Sequence, residues 1–126
     1  MPTITNASET EGVTCRTITR AERKRLETKF GKVVRISRKD YSIVYCHELR
    51  AGGQDLAGLC EPNRRVIYIN IDFEPIEETL LHELFHAEFA ESGLHQTNSW
   101  NHDLEELVVE TLSKSTAHLF FLRRRS

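Results

Sequence analysis

The 126-residue chain has only three cysteines, Cys15, Cys46 and Cys60, and no CxxC pair. An odd number with long, irregular gaps excludes both a disulfide framework and a CxxC metal or redox site, so three reduced thiols are expected. Long apolar runs are missing too. No stretch approaches the roughly 20 residues needed to cross a bilayer. The opening Met-Pro-Thr-Ile lacks the basic, apolar and small-residue order of a secretion signal, so the expectation is a cytoplasmic protein without membrane contact. There is no internal repeat and no Pro-rich linker, with three prolines in the whole chain. One domain is expected, large enough to build a core without staples. Residues 1 to 14, mostly Thr, Ser, Asn and Glu, have no period and read as a disordered tail, leaving 15 to 126 as the domain.

Hydrophobic residues make up 39% and charged residues 29%, an ordinary globular composition. The net charge of −2 hides an asymmetry: residues 1 to 50 carry 11 of the 17 basic and 6 of the 19 acidic side chains, a balance of +5 that leaves −7 for the rest. Arg16, Arg20, Arg23, Lys24, Arg25 and Lys29 begin this basic cluster. It offers an attachment for nucleic acid or an acidic partner, although Glu22 and Glu27 interrupt it as they would a solvated helix face.

The element pattern is α+β. Thr19 as N-cap, good helix formers from Arg20 to Phe30 and Gly31 as the stop predict an N-terminal helix. Lys32 to Ile36 and Tyr41 to Glu48 read as a hairpin, Asp55 to Cys60 as a short strand and Arg65 to Ile71 as a strong one. A small, mostly antiparallel sheet of three or four strands is therefore expected. After Asp72 the period changes from two to 3.6. Pro75 suits a first helical turn, and the helix should run to about Glu91 with Gly93 beyond it. A last helix starts near Asn101 or Asp103 and continues towards Leu122.

Inside the first of these two helices stands His82-Glu83-Leu84-Phe85-His86, an HExxH sequence. Residues i and i+4 share a helix face, so both imidazoles reach one ion at about 2.0–2.1 Å, and Glu83, roughly 100° round the helix, reaches a water beside it. Projection places Thr79, His82, Phe85, His86, Phe89 and Ala90 on one side, opposite Glu77 and Glu88. Two histidines on an apolar face are costly to bury unless bonded or ligating.

A catalytic zinc takes three protein ligands and leaves one position open. In the last helix Leu104, Leu107, Val108, Thr111 and Leu112 cluster around one direction, predicted to be the core face. Glu105 lies near that face and Glu106 and Glu110 lean away. Glu105 is thus the expected third ligand, with Glu106 its competitor because helix register is uncertain from sequence. His95 and His102 follow the second histidine without making HExxHxxGxxH, as Ser92 fills the last position of that pattern.

HExxH followed by Glu105, 19 residues after His86 on a later helix, resembles the gluzincin group of zinc metallopeptidases. The run Thr79 to Ala87, the Glu91-Ser92-Gly93-Leu94 helix end and the strand Arg65 to Ile71 are similar to small phage and bacterial proteins related to ImmA/IrrE. The resemblance covers residues 41 to 122. It implies a minimal zincin-like fold, a zinc cofactor and limited cleavage of a regulatory protein, often a repressor. In such relatives a Glu-x-x-Ala-Asn/Asp motif opens with the third ligand; here Glu105 matches and Val109 replaces the Asn or Asp that would orient a histidine, so the residues behind the ligands must differ.

Two functions follow as expectations. The first is peptide-bond hydrolysis on a protein or peptide substrate, with zinc acidifying water, Glu83 accepting its proton, the strand Arg65 to Ile71 offering a backbone edge, and Tyr68, His95 or His102 as candidates for the oxyanion. The second is a non-catalytic, zinc-stabilised regulatory module with a fourth protein ligand such as His95 or His102, docking through the basic N-terminal region.

Overall fold

A computed structural model describes residues 12–93 and 101–125, with side chains through Lys114. The expectations for residues 1 to 11 and for His95 lie outside the described residues. The order is β1 (Val13–Thr17), α1 (Arg20–Phe30), β2 (Val33–Ile36), β3 (Lys39–Ala51), β4 (Gln54–Asp55), β5 (Gly58–Glu61), β6 (Val66–Asn70), α2 (Ile76–Glu91) and α3 (His102–Arg125). The fold is α+β. Among the described residues the sheet has six strands rather than the three or four expected from sequence. Two were hidden in the reading: β1 falls partly inside the predicted tail, with Val13 4% exposed, and β4 is two residues long.

Long β3 organises the sheet. Along one edge it pairs antiparallel with β2 through residues 39–42 and with β1 through residues 46–51; along the other it pairs parallel with β6 over Ser42 to Cys46. β5 then closes antiparallel on β6 as the edge strand. One parallel pairing makes the sheet mixed. Its cause is the chain path: the turn at 52–65 carries the chain past β3 through β4 and β5, so β6 returns in the same direction as β3.

Period-two alternation puts Tyr41, Ile43, Tyr45, Ile67 and Ile69 on one face of the sheet, where they pack with Leu26 and Phe30 of α1 and Leu80, Leu81 and Ala87 of α2. The other face holds a smaller cluster of Val13, Cys15, Cys46, Leu49 and Tyr68. All three cysteines are free.

Local signals explain the ends of the elements. In α1 the Thr19 hydroxyl accepts from Glu22 N at 3.1 Å and the Glu22 carboxylate accepts from Thr19 N at 2.8 Å, a reciprocal cap, while Gly31 at φ 96 donates to Glu27 O. The hairpin turn is only Ser37-Arg38, both at positive φ (50 and 69), so β3 starts at Lys39, earlier than the pattern predicted. Ahead of α2, Asp72 Oδ2 accepts from Glu48 N at 2.9 Å and Asn70 Oδ1 accepts from Asp72 N at 3.0 Å. These bonds aim the chain off β6 and into the helix that carries the HExxH sequence.

α3 packs on α2 in a different register from the one predicted. Leu104, Leu107 and Leu112 are 56%, 64% and 38% exposed, whereas Glu105, Val109 and Ser113 are buried, one helical turn apart from each other. The helix therefore turns a partly polar stripe towards α2, because the face it meets presents histidines, and hydrogen-bonded polar pairs satisfy both sides.

Candidate metal centre

The most deeply buried residues of α2 are Leu80, Leu81, Glu83 and Ala87, which face the sheet. The histidines sit beside that face, half-buried, at the seam with α3. Their rings meet edge to face with centroids 4.9 Å apart and their Nε2 atoms 3.2 Å apart. Glu106 closes the triangle, with Oε1 3.4 Å from His82 Nε2 and Oε2 3.2 Å from His86 Nε2. Among the described residues His82, His86 and Glu106 form the group that could hold a metal ion.

A tetrahedral ion with bonds of about 2.0–2.1 Å requires donor atoms roughly 3.3–3.4 Å apart. The 3.2 Å between the two Nε2 atoms fits that edge length, and each Nε2 has one Glu106 oxygen at a similar distance.

The far nitrogens support the same geometry. His86 Nδ1 lies 2.5 Å from Glu105 Oε2 and His82 Nδ1 lies 3.1 Å from Glu110 Oε1. A carboxylate thus faces the outer nitrogen of each ring, an arrangement that favours the hydrogen on Nδ1 whenever Nε2 is engaged by a ligand. With each Nδ1 facing a carboxylate, both Nε2 atoms and Glu106 are turned towards one another at the rim, where a cation could be shared.

Glu105, expected as a ligand, is thus placed against the outer nitrogen of His86 and outside the converging triangle. The physical reason is the register of α3: Glu105 lies on its inward line, with its side chain 5% exposed, and meets the edge of the ring. Glu106, about 100° further round and 45% exposed, reaches over the two Nε2 atoms at the open rim. Glu110, read from sequence as a solvated residue, is the one the sequence reasoning missed. A signal was available, because Glu106 and Glu110 repeat the one-turn spacing of His82 and His86 on the facing helix.

Glu83 is 6% exposed, and burial pushes its carboxyl up to about 7, opposed by His86 and aided by Glu106. It fits only because residue 58 is glycine: a Cβ there would lie 2.9 Å from Thr79 Cγ2 and 3.0 Å from Glu83 Cγ and Oε2. Helix and edge strand therefore approach to near contact beside the centre.

Two clefts flank it. One, of about 450 Å³, is lined by Leu56, Gly58, Leu59, Cys60, Pro62, Glu83, Glu105 and the His82–His86–Glu106 rim, with His102 at its side. The other, of about 290 Å³, is lined by Ala57, Gly58, Glu78, Thr79, His82, Glu83, Glu110 and Ser113. Burial first, then the charges of Glu83 and Glu105, push the Cys60 thiol up to about 12, which keeps it protonated and a poor ligand.

Of the remaining candidates, His102 lines the larger cleft and Tyr68 does not. His102 Nε2 is 3.9 Å from Glu106 Oε2, with a side chain 64% exposed. Tyr68 lies in the cluster on the far face of the sheet, donates to Glu61 at 3.0 Å and lines neither cleft, which removes it as an oxyanion group. β6 is an interior strand between β3 and β5, so the backbone edge beside the clefts belongs to β5 instead. Against known proteins the chain matches no family model, no curated protein and no solved structure.

Proposed function

We propose that the chain is a zinc-dependent, gluzincin-like peptidase that hydrolyses a peptide bond of a protein substrate, in the manner of limited cleavage of a regulatory protein. The observation that supports this reading is the convergence of His82 Nε2 and His86 Nε2, 3.2 Å apart, with the Glu106 carboxylate, which sets one oxygen 3.4 Å from the first and the other 3.2 Å from the second, while a carboxylate faces each Nδ1. In this proposal the ligands are His82, His86 and Glu106, and Glu105, the ligand expected from sequence, becomes the residue that positions His86. Glu110 positions His82.

Two imidazoles and one carboxylate are a donor set of catalytic zinc sites, which leave the fourth position open. Zinc, when bound, acidifies a coordinated water and polarises a carbonyl. The rest belongs to the protein. Glu83, which lines both clefts together with His82, would take the proton of the attacking water and return it to the leaving amine. The outer edge of β5 pairs with an extended substrate and lays its backbone along both clefts. Gly58 keeps that edge close to Glu83.

The test is a Glu83→Gln variant. It should retain zinc and lose cleavage by at least about a hundredfold; cleavage at the parent rate with zinc bound would remove the mechanism.

A second reading has its own support. A depression of about 570 Å³ against α1 is lined by Arg20, Arg23, Lys24 and Lys32, with Glu27 its one acid, and suits an acidic partner or nucleic acid. A zinc-stabilised docking module would close its metal shell with a fourth protein ligand, His102 or His95. Counting ligands by absorption spectroscopy on the cobalt-substituted protein separates the two: three protein ligands plus solvent for the peptidase, four protein ligands for the module.

A further inference from the structure

The two clefts beside the centre share Gly58, His82 and Glu83, so they meet there, yet they differ in chemistry. The larger has a wall of Leu56, Leu59 and Pro62, and beyond the shared Glu83 its two glutamates, Glu105 and Glu106, are both engaged with His86. The smaller is lined by Glu78, Glu83 and Glu110, with no Lys or Arg among its lining residues. At about 290 Å³ it sits at the low end of ligand pockets, with room for one side chain rather than a whole ligand.

Its carboxylates are unequally satisfied. Glu110 is engaged twice, by His82 Nδ1 at 3.1 Å and by Lys114 Nζ at 3.2 Å, so its charge is already met. Glu83 is 6% exposed and has no hydrogen-bond partner among the described residues. Glu78, half-buried, has no hydrogen bond and no ion pair among the described residues either. Unpaired carboxylates in a concave wall focus their field on the space between them, and the desolvation they suffer is relieved by a cation that enters.

Helix electrostatics give Glu78 a second role that has to be separated. Glu77 and Glu78 both lie in the first turn of α2, where negative charge favours the positive end of the helix. Only Glu78 lines the cleft. The adjacent residue is therefore a built-in control.

Resting on the peptidase reading above, we propose that the smaller cleft is a specificity pocket for a Lys or Arg side chain next to the scissile bond. Glu78 is its determinant, and the larger cleft takes an apolar residue on the other side of that bond.

The experiment uses the zinc-loaded full chain and fluorescein-labelled peptides that are identical except for Lys, Arg, Gln or Glu beside a Leu, in both orders. Where a peptide is cleaved, kcat/KM is read; where none is cleaved, fluorescence anisotropy gives Kd. Lys and Arg peptides should be preferred over the Glu peptide by about fivefold or more. Glu78→Lys should invert the order, Glu78→Gln should level it, and Glu77→Gln should leave it unchanged. If Glu78→Lys loses its helical circular dichroism, Glu78→Gln decides. A parent with no charge preference, or an unchanged preference in the Glu78 variants, overturns the pocket. Glu78-dependent preference in binding with no cleavage of any peptide supports the pocket and fells the peptidase reading. Cleavage without that dependence fells the pocket alone.

Discussion

Replacing Gly58 by alanine perturbs the centre without touching any atom of the proposed metal triangle. The added Cβ would meet Thr79 Cγ2 at 2.9 Å and Glu83 Cγ and Oε2 at 3.0 Å, closer than such atoms pack. Thr79 is β-branched and helical, with little rotamer freedom, and Glu83 is buried, so neither retreats freely. Overpacking of this kind costs roughly 1–3 kcal/mol, and about 2 kcal/mol is expected here. For a chain of this size that lowers Tm by about 6–10 °C. The loss of cleavage should exceed what reduced stability explains, because Glu83 is displaced, while zinc affinity stays within about threefold of the parent. Urea denaturation followed by circular dichroism reads the stability. Thr79→Ser removes the closest contact, so the double variant Gly58→Ala/Thr79→Ser should recover about half of the loss, a coupling the two single variants alone would not give. If Gly58→Ala is as stable as the parent, or if Thr79→Ser brings no recovery, the close approach of β5 to α2 is wrong.

Other consequences are equally direct. His47 Nδ1 lies 2.7 Å from Asp72 Oδ1, an interaction that raises the His47 pKa above 6.5 and lowers that of Asp72 below 3.8. The histidine's contribution is present below 6.5 and lost as pH rises through its raised pKa; the aspartate's is present above 3.8 and lost as pH falls through its lowered pKa. The stability gap between parent and His47→Gln in urea should therefore be widest near pH 5 and shrink above pH 8. On α3, Leu107→Asn should change stability by less than about 0.5 kcal/mol and Val109→Ala should cost about 1–2 kcal/mol, the reverse of what the sequence pattern implied. If zinc binds here, Glu110→Gln should weaken it about 10–100-fold by removing the carboxylate that faces His82 Nδ1, read by competition with a chromogenic chelator.

Some of this architecture could be read from the sequence because local chemistry dictated it. Thr19, Glu22 and Gly31 bound α1 by caps that need no tertiary contact, and HExxH places two imidazoles and a carboxylate by helical spacing alone. The alternation in Arg65 to Ile71 likewise gave a strand. What that alternation could not reveal is the parallel pairing of β6 with β3, since an interior strand and an edge strand share one pattern and only the chain path decides. The face of α3 was misread for a related reason. Leu104, Leu107 and Leu112 are the apolar choice for a core, but a helix packed on α2 meets His82 and His86, and matching polar partners outweigh leucines there. The same register turns Glu105 inward against His86 Nδ1, sets Glu106 over the two Nε2 atoms and brings Glu110 to His82 Nδ1.

The central claim is that Glu106 completes the zinc site and Glu105 serves only to hold His86. Zinc content and affinity of the parent, Glu105→Ala and Glu106→Ala, measured by metal analysis and chelator competition, test it most directly. One zinc per chain is expected in the parent, a loss of about 10–100-fold in affinity for Glu105→Ala, and a loss beyond about a hundredfold for Glu106→Ala. A parent that binds no zinc, or a Glu106→Ala variant that binds as tightly as the parent while Glu105→Ala binds none, would contradict the account.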